Sequence, residues 1–159
     1  MSALFGRSQG IFDTMVQFFQ EDDWKFRQLE GKTILTMGFK GDNGTWQCFA
    51  QAREEQKQFV FYSVLELMVP EDKRPAVAEF LTRANYGMII GNFEMDFNDG
   101  EVRFKTSLDV RENEDKFCSG LIKRLVYVNV IMMDRYFPGV MQVIYGGVSP
   151  ADAIAKIEK

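Results

Sequence analysis

The sequence predicts an α+β fold, an antiparallel sheet packed with helices in the order α-β-β-β-β-α-β-β-α-α. Two observations carry that prediction. Apolar residues recur at spacings of three and four in separate helical stretches, while Asp22–Glu54 and Asn92–Asp109 alternate apolar and polar residues. A third, the Gly, Pro and Asn punctuation between these blocks, sets their ends. With 159 residues and 46% hydrophobic content, the chain fits one domain over 1–159 with a real core. Residues 1–9 are expected to be a flexible lead.

"GIFDTMVQFFQED" places Ile11, Phe12, Met15, Val16 and Phe19 on one face of a helix over about 10–21. Three strands follow, with hairpin turns expected at Glu30-Gly31 and Asn43-Gly44. As two-residue loops these align Trp24 with Met37, Phe26 with Leu35, Phe39 with Cys48 and Met37 with Ala50, and set Gly38 opposite Phe49. After the polar "REEQKQ", "FVFYSVLELMV" reads as a fourth strand, apolar on both faces. "PEDKRPAVAEFLTRANYG" opens a second helix whose stripe is Val77, Phe80, Leu81 and Ala84.

"NFEMDFNDGEVRFKTSLD" reads as a hairpin. Asp99-Gly100 as a type I′ turn sets Asn98 opposite Glu101, Phe97 opposite Val102, Asp96 opposite Arg103, Met95 opposite Phe104 and Glu94 opposite Lys105. One face is then apolar and the other pairs opposite charges twice. "NEDKFCSGLIKRLVYVNVIMMDRYF" predicts a long third helix, apolar around much of its circumference and halted by Pro138-Gly139. In "SPADAIAKIE", Ser149 is the N-cap of a last helix and Pro150 its first residue.

Composition excludes much chemistry. The chain has no histidine, so Ser-His-Asp and Cys-His nucleophile systems are impossible. Two cysteines do not make a four-thiolate metal site, and they fit reduced thiols better than a disulfide frame. "DFNDGE" lacks the glycine position and terminal Glu of a calcium loop, and "GFKGDNG" and "GMIIG" match no phosphate-binding fingerprint. No catalytic residue, metal ligand or cofactor is therefore expected. The net charge of −4 and pI near 5.0 argue against nucleic acid as the main partner. The longest apolar run, Leu125–Met133, is too short to span a bilayer, and no signal peptide is expected at the start. These features predict a cytoplasmic protein. Glu94, Asp96 and Glu101 share a hairpin face, but their lysine and arginine neighbours read as a solvated charge network rather than a catalytic pair. Cys118 reads as a packed structural cysteine.

The second sheet face is harder to explain. If Trp24, Phe26, Leu35, Met37 and Phe61 point at the helices, then Ile34, Phe49, Val60, Tyr62 and Val64 point away, making a strip too apolar for bulk water. Three covers are open: the C-terminal helices of the same chain, a second subunit in a homodimer, or a client segment.

"VPEDKRPAVAEFLTRANYGMIIGNFEMDFNDGEVRFKTSLD" and "MMDRYFPGVMQVIYGGVSPADAIAKIE" resemble the YbjN-like proteins, described as "putative bacterial sensory transduction regulators", especially their cyanobacterial and plastid branch. The likeness runs through Pro70, Arg74, Pro75, Asn85, Gly91, Asp96, Gly100, Arg103, Asp134, Arg135, Tyr136 and Pro138, with Ser149-Pro150 beyond. It implies a fold like that of type III secretion chaperones, proteins that dimerise and hold partner segments, and it implies no enzyme. Most of these positions also have a structural reading, Arg74 and Tyr136 being those best placed to read a partner. Residues 1–69 match only in their pattern of strands. The function expected is a non-catalytic protein-binding adaptor, chaperone-like or regulatory. The alternative is a small-molecule sensor or enzyme with a pocket between the sheet and the long helix.

Overall fold

A computed structural model describes residues 10–159, and the flexible lead expected at 1–9 lies outside them. Helix α1 (Ile11–Glu21) buries Ile11, Met15, Phe18 and Phe19. Gly10 offers its first turn no side chain, and the carboxylate of Glu54 takes the amides of Ile11 (3.3 Å) and Phe12 (2.7 Å) instead. Six strands follow the predicted order: β1 (Arg27–Gln28), β2 (Ile34–Lys40), β3 (Thr45–Arg53), β4 (Gln58–Met68), β5 (Asn92–Met95) and β6 (Glu101–Asp109). They form one antiparallel sheet in the spatial order β1-β2-β3-β4-β6-β5. Strand β1 is shorter than expected because Asp23 takes a positive φ of 59° and the Trp24 amide caps Phe19 at the end of α1. The backbone therefore joins the ladder only at Arg27.

All three predicted hairpin registers are one residue off on each strand. Arg27 faces Thr36, Leu35 faces Ala50, Met37 faces Cys48, Gly38 faces Gln47 rather than Phe49, and Glu94 faces Arg103 rather than Lys105. The loops are the cause. The first holds four residues, Glu30 to Thr33, closed by the Leu29 amide on the Ile34 carbonyl. In the second the two-residue turn is Asp42-Asn43, because the Gly41 amide bonds Gly44 (2.8 Å) while the Asp134 carboxylate takes the amides of Asp42 (3.1 Å) and Asn43 (2.8 Å). A Cβ on Gly41 would sit 2.3 Å from Asp134 Oδ1, so this approach requires glycine. The third is a four-residue loop, Phe97 to Gly100, in which only Gly100 has positive φ (83°), whereas a type I′ turn needs two such residues. Phe97 consequently leaves the ladder and is exposed. Since each displacement moves the pairing by an even number, every side chain that stays in the ladder keeps its predicted face.

Helix α2 (Arg74–Asn85) buries Val77, Phe80, Leu81 and Ala84, as its stripe predicts. Helix α3 (Ser119–Tyr145) does not stop at Pro138 but runs 27 residues through it. Proline has no N–H for the carbonyl of Asp134 four residues back, which ordinarily breaks the helix. Here the side-chain amide of Asn43, at the tip of the β2–β3 turn, donates to that carbonyl at 3.0 Å. A tertiary donor thus replaces the missing helical one. Helix α4 (Pro150–Ile157) starts at Ser149, whose hydroxyl accepts from the Asp152 amide (3.1 Å).

The helices pack on one face of the sheet: α1 against β3, α3 against β4 and β6, α2 against β5. Between α3 and the sheet, Val126, Asn129, Val130 and Met133 meet Phe61 and Phe104, all nearly inaccessible. Asn129 donates to the carbonyls of Phe61 (2.9 Å) and Phe104 (3.1 Å), pinning the helix across β4 and β6. That layer is filled where the alternative reading needs a pocket.

Candidate functional site

Alternation along β2, β3 and β4 sends one set of side chains to the helices and the other outward, and no described element covers the outward set. Of the three covers left open, the C-terminal helices are removed. The register places Phe49 beside Tyr62 on neighbouring strands, with Val60 and Val64 flanking Tyr62 along β4. Ile34 joins diagonally, because its direct partner is Gln51, whose other neighbour is Val60. The five predicted residues therefore lie on one face, in a strip broken by Gln51.

The strip is less bare than the sequence suggests. Val60 is buried and the other four are half-buried. The Arg103 guanidinium lies over the Tyr62 ring at 4.3 Å and ion-pairs with Glu94, and Lys105 reaches the other Glu94 oxygen at 3.2 Å. Partial burial pushes the Glu94 carboxyl up, but the hydrogen bonds and charges of Arg103 and Lys105 outweigh it and hold the carboxyl below its ordinary value. Glu101 is 3.9 Å from Arg103. Asp96 is not Arg103's partner, as the predicted register had it. It sits at the loop and takes the Asn98 amide at 2.8 Å. The three carboxylates therefore form a charge network and a turn, with none held in a desolvated cleft. Shallow recesses flank the strip, one of about 210 Å³ lined by Arg53, Val60, Tyr62 and Lys105, the other of about 310 Å³ over Gly38, lined by Lys25, Arg27 and Gln47.

The positions that carried the sequence resemblance turn out to hold junctions together. Pro70 precedes a 3-10 turn and Pro75 lies in the first turn of α2. Arg74 ties the carbonyls of Val69 and Phe97, both at 3.0 Å. Asn85 donates to the Phe93 carbonyl (3.0 Å) and accepts its amide (2.7 Å), occupying the groups that Phe93 presents on the open edge of β5. A Cβ on Gly91 would meet the Phe104 ring at 2.7 Å, and one on Gly100 the Val69 carbonyl at 2.3 Å. Tyr136 is buried and donates to Glu158 (2.8 Å). Burial first, then that bond, pushes its phenol up to about 12. Tyr136 is thus an internal strut rather than a free reader of partners. Arg135 differs: it is exposed, stacks on the Tyr136 ring at 5.3 Å, and makes no ion pair among the described residues.

The two cysteines differ in exposure, and Cys118 departs from its expected character. Cys118 is the exposed N-cap residue of α3 rather than a packed helical cysteine. Cys48 is buried, and burial pushes its thiol up to about 12 despite its contact with Ser63. Sequence reasoning also missed the most exposed apolar side chains, Tyr86 and Ile89, in the loop between α2 and β5, with Ile90 beside them and Ile131 on α3. The segment "GMIIG" marks a loop, with two isoleucines between glycines and no strand or helix pattern, but carries no signal of their exposure.

A family model described as "Putative bacterial sensory transduction regulator", YbjN, matches residues 12–142. The chain belongs to the YbjN family. Among solved structures it is similar to "Crystal structure of YbjN, a putative transcription regulator from E. coli", with 12% identity, a TM-score of 0.58, and coverage of 87% of this chain and 92% of that one. At that identity the likeness is one of fold. It is also similar to "Structure of the HopA1-SchA Chaperone-Effector Complex", with 14% identity, a TM-score of 0.46, and coverage of 77% and 88%. No curated protein matches the sequence. Among the described residues, no helix is long and apolar enough to cross a membrane.

Proposed function

We propose that this YbjN-family protein is a non-catalytic cytoplasmic adaptor, chaperone-like or regulatory, that binds protein across the outer face of its sheet and forms a homodimer there. The observation that carries this reading is the one-sided architecture: α1, α2 and α3 pack on one face of the sheet with α4 against α2 and α3, and an aromatic and aliphatic strip occupies the centre of the other face. The strip has the anatomy of a protein interface, with Phe49, Tyr62 and Val64 at its middle and Arg53, Glu94, Arg103 and Lys105 at its margin. The mixture of signs at that margin suits a protein better than a polyanion. The small-molecule alternative lacks support because the layer between α3 and the sheet is filled.

The test is Phe49→Asp. Phe49 is half-buried beside Tyr62, so losing that cross-strand pair costs the isolated fold about 0.2–1 kcal/mol. At an interface the same substitution places a charge against apolar surface and abolishes association. Light scattering should show a dimer for the wild type and a folded monomer for the variant. A dimer that survives Phe49→Asp, with an unchanged melting temperature, refutes the assignment of this face.

A further inference from the structure

The loop Tyr86–Gly91 leaves α2 and lies beside α3, on the helix layer rather than the sheet face. It holds a concentration of apolar side chains that the fold does not bury: Tyr86 is 91% exposed, Ile89 92% and Ile90 47%. Next to them, Val128, Met132 and Arg135, one stripe of α3, line the same groove of about 550 Å³. Singly, exposed apolar groups are ordinary, but three in one short loop together with the α3 stripe make a patch of the kind that marks interaction sites.

The charges of the groove state what its occupant carries. Its carboxylate, Glu158, is engaged by the Tyr136 hydroxyl at 2.8 Å. Its cation, Arg135, makes no hydrogen bond or ion pair among the described residues and is held over the Tyr136 ring, with its fork open to solvent. A guanidinium set over an aromatic ring beside apolar side chains suits a carboxylate attached to an apolar segment, because the fork binds carboxylate oxygens in pairs. Strand addition is disfavoured at Phe93, whose amide and carbonyl on the adjacent edge strand are already taken by Asn85. A bilayer is disfavoured: one cation in a chain of net charge −4 gives little attraction to anionic lipid, and the site is a walled groove.

We propose that this groove binds an apolar segment of a partner protein that carries an acidic side chain, the apolar groups lying between Ile89 and Met132 and the carboxylate on Arg135. The inference shares with the preceding section only the reading that the protein binds protein, and it concerns a separate surface.

The experiment is a selection of random nonapeptides on the full chain, followed by fluorescence anisotropy of the best labelled peptide. Selected peptides should combine two or more apolar residues with an Asp or Glu. Arg135→Glu should weaken binding at least tenfold and regain it for the peptide whose acid is replaced by lysine. Ile89→Asp should weaken binding to a similar extent, and neither variant should shift the melting temperature, because both side chains are exposed. Phe49→Asp should leave this binding unchanged, so that failure here and failure of the sheet-face reading are distinguishable. The proposal is overturned if no peptide is enriched, if enriched peptides lack an acid, or if Arg135→Glu binds them as the wild type does. It is equally overturned if Ile89→Asp splits a dimer, which makes the groove a contact between copies. Binding that depends on Ile89 to phosphatidylserine-containing vesicles, without peptide binding, also overturns it.

Discussion

The passage of α3 through Pro138 rests on one side-chain donor, and this can be tested by a double-mutant cycle between Asn43 and Pro138. Asn43→Ala removes the 3.0 Å bond to the Asp134 carbonyl and leaves that oxygen to water. An exposed hydrogen bond of this kind contributes about 0.5–1.5 kcal/mol, so the melting temperature should fall by roughly 1–6 °C in a chain of this size. Pro138→Ala alone restores a backbone N–H to a carbonyl that already has a donor, so its effect should stay within about 1 kcal/mol, partly through the looser unfolded chain. In the double mutant the new N–H serves Asp134 in place of Asn43. The cost of Asn43→Ala should then shrink by about 0.5–1 kcal/mol, read from urea denaturation followed by circular dichroism. Additivity within about 0.3 kcal/mol would refute the account of the proline. The matter reaches beyond the helix, because the residues at and after Asp134 include Arg135, which faces the groove, and Tyr136, which braces α4 through Glu158.

Three further outcomes concern the charge network and the thiols. Glu94 and Arg103 should couple by about 0.2–1 kcal/mol in a double-mutant cycle, while Asp96 and Arg103 should not couple, since the ladder sets Glu94 opposite Arg103. Because the folded Glu94 carboxyl is held below its ordinary 4.5, its contribution to stability is present above that pH and is lost as the pH falls through the depressed folded value. Acid unfolding of Glu94→Gln should therefore show a shallower loss of stability below about pH 4.5 than the wild type, and identical curves would contradict the pairing. Thiol titration under native conditions should modify Cys118 quickly and Cys48 only on unfolding, since Cys48 is buried with its thiol pushed up to about 12. Rapid loss of both thiols would show that β3 opens more readily than its packing implies.

Periodicity makes the element order, the helix stripes and the inward and outward faces legible in the sequence alone. The stripe of α2, the N-cap at Ser149 and the two-sided apolar character of β4 follow from spacing and local chemistry, and a neighbour elsewhere in the chain does not alter them. The same is true of the outward set of Phe49, Tyr62 and Val64, because alternation decides which face a side chain takes. Register was beyond reach for a related reason. Moving each hairpin by one residue on both strands leaves the alternation intact, so the pattern cannot distinguish the two pairings. The choice fell to contacts distant in sequence: Asp134 holding the Asp42-Asn43 turn, and Val69 and Arg74 crowding Gly100. Pro138 reads as a stop in any local treatment and became a helical residue only because Asn43 lies within reach of the carbonyl it orphans. Exposure in loops was likewise settled by packing. Nothing in "YGMIIG" indicates whether its isoleucines turn inward or outward, and the close seating of Gly91 against Phe104 and Lys105 is part of what fixes the end of that loop. Local sequence determines which face a residue takes, whereas register, helix ends and loop exposure depend on groups that only the folded chain brings together.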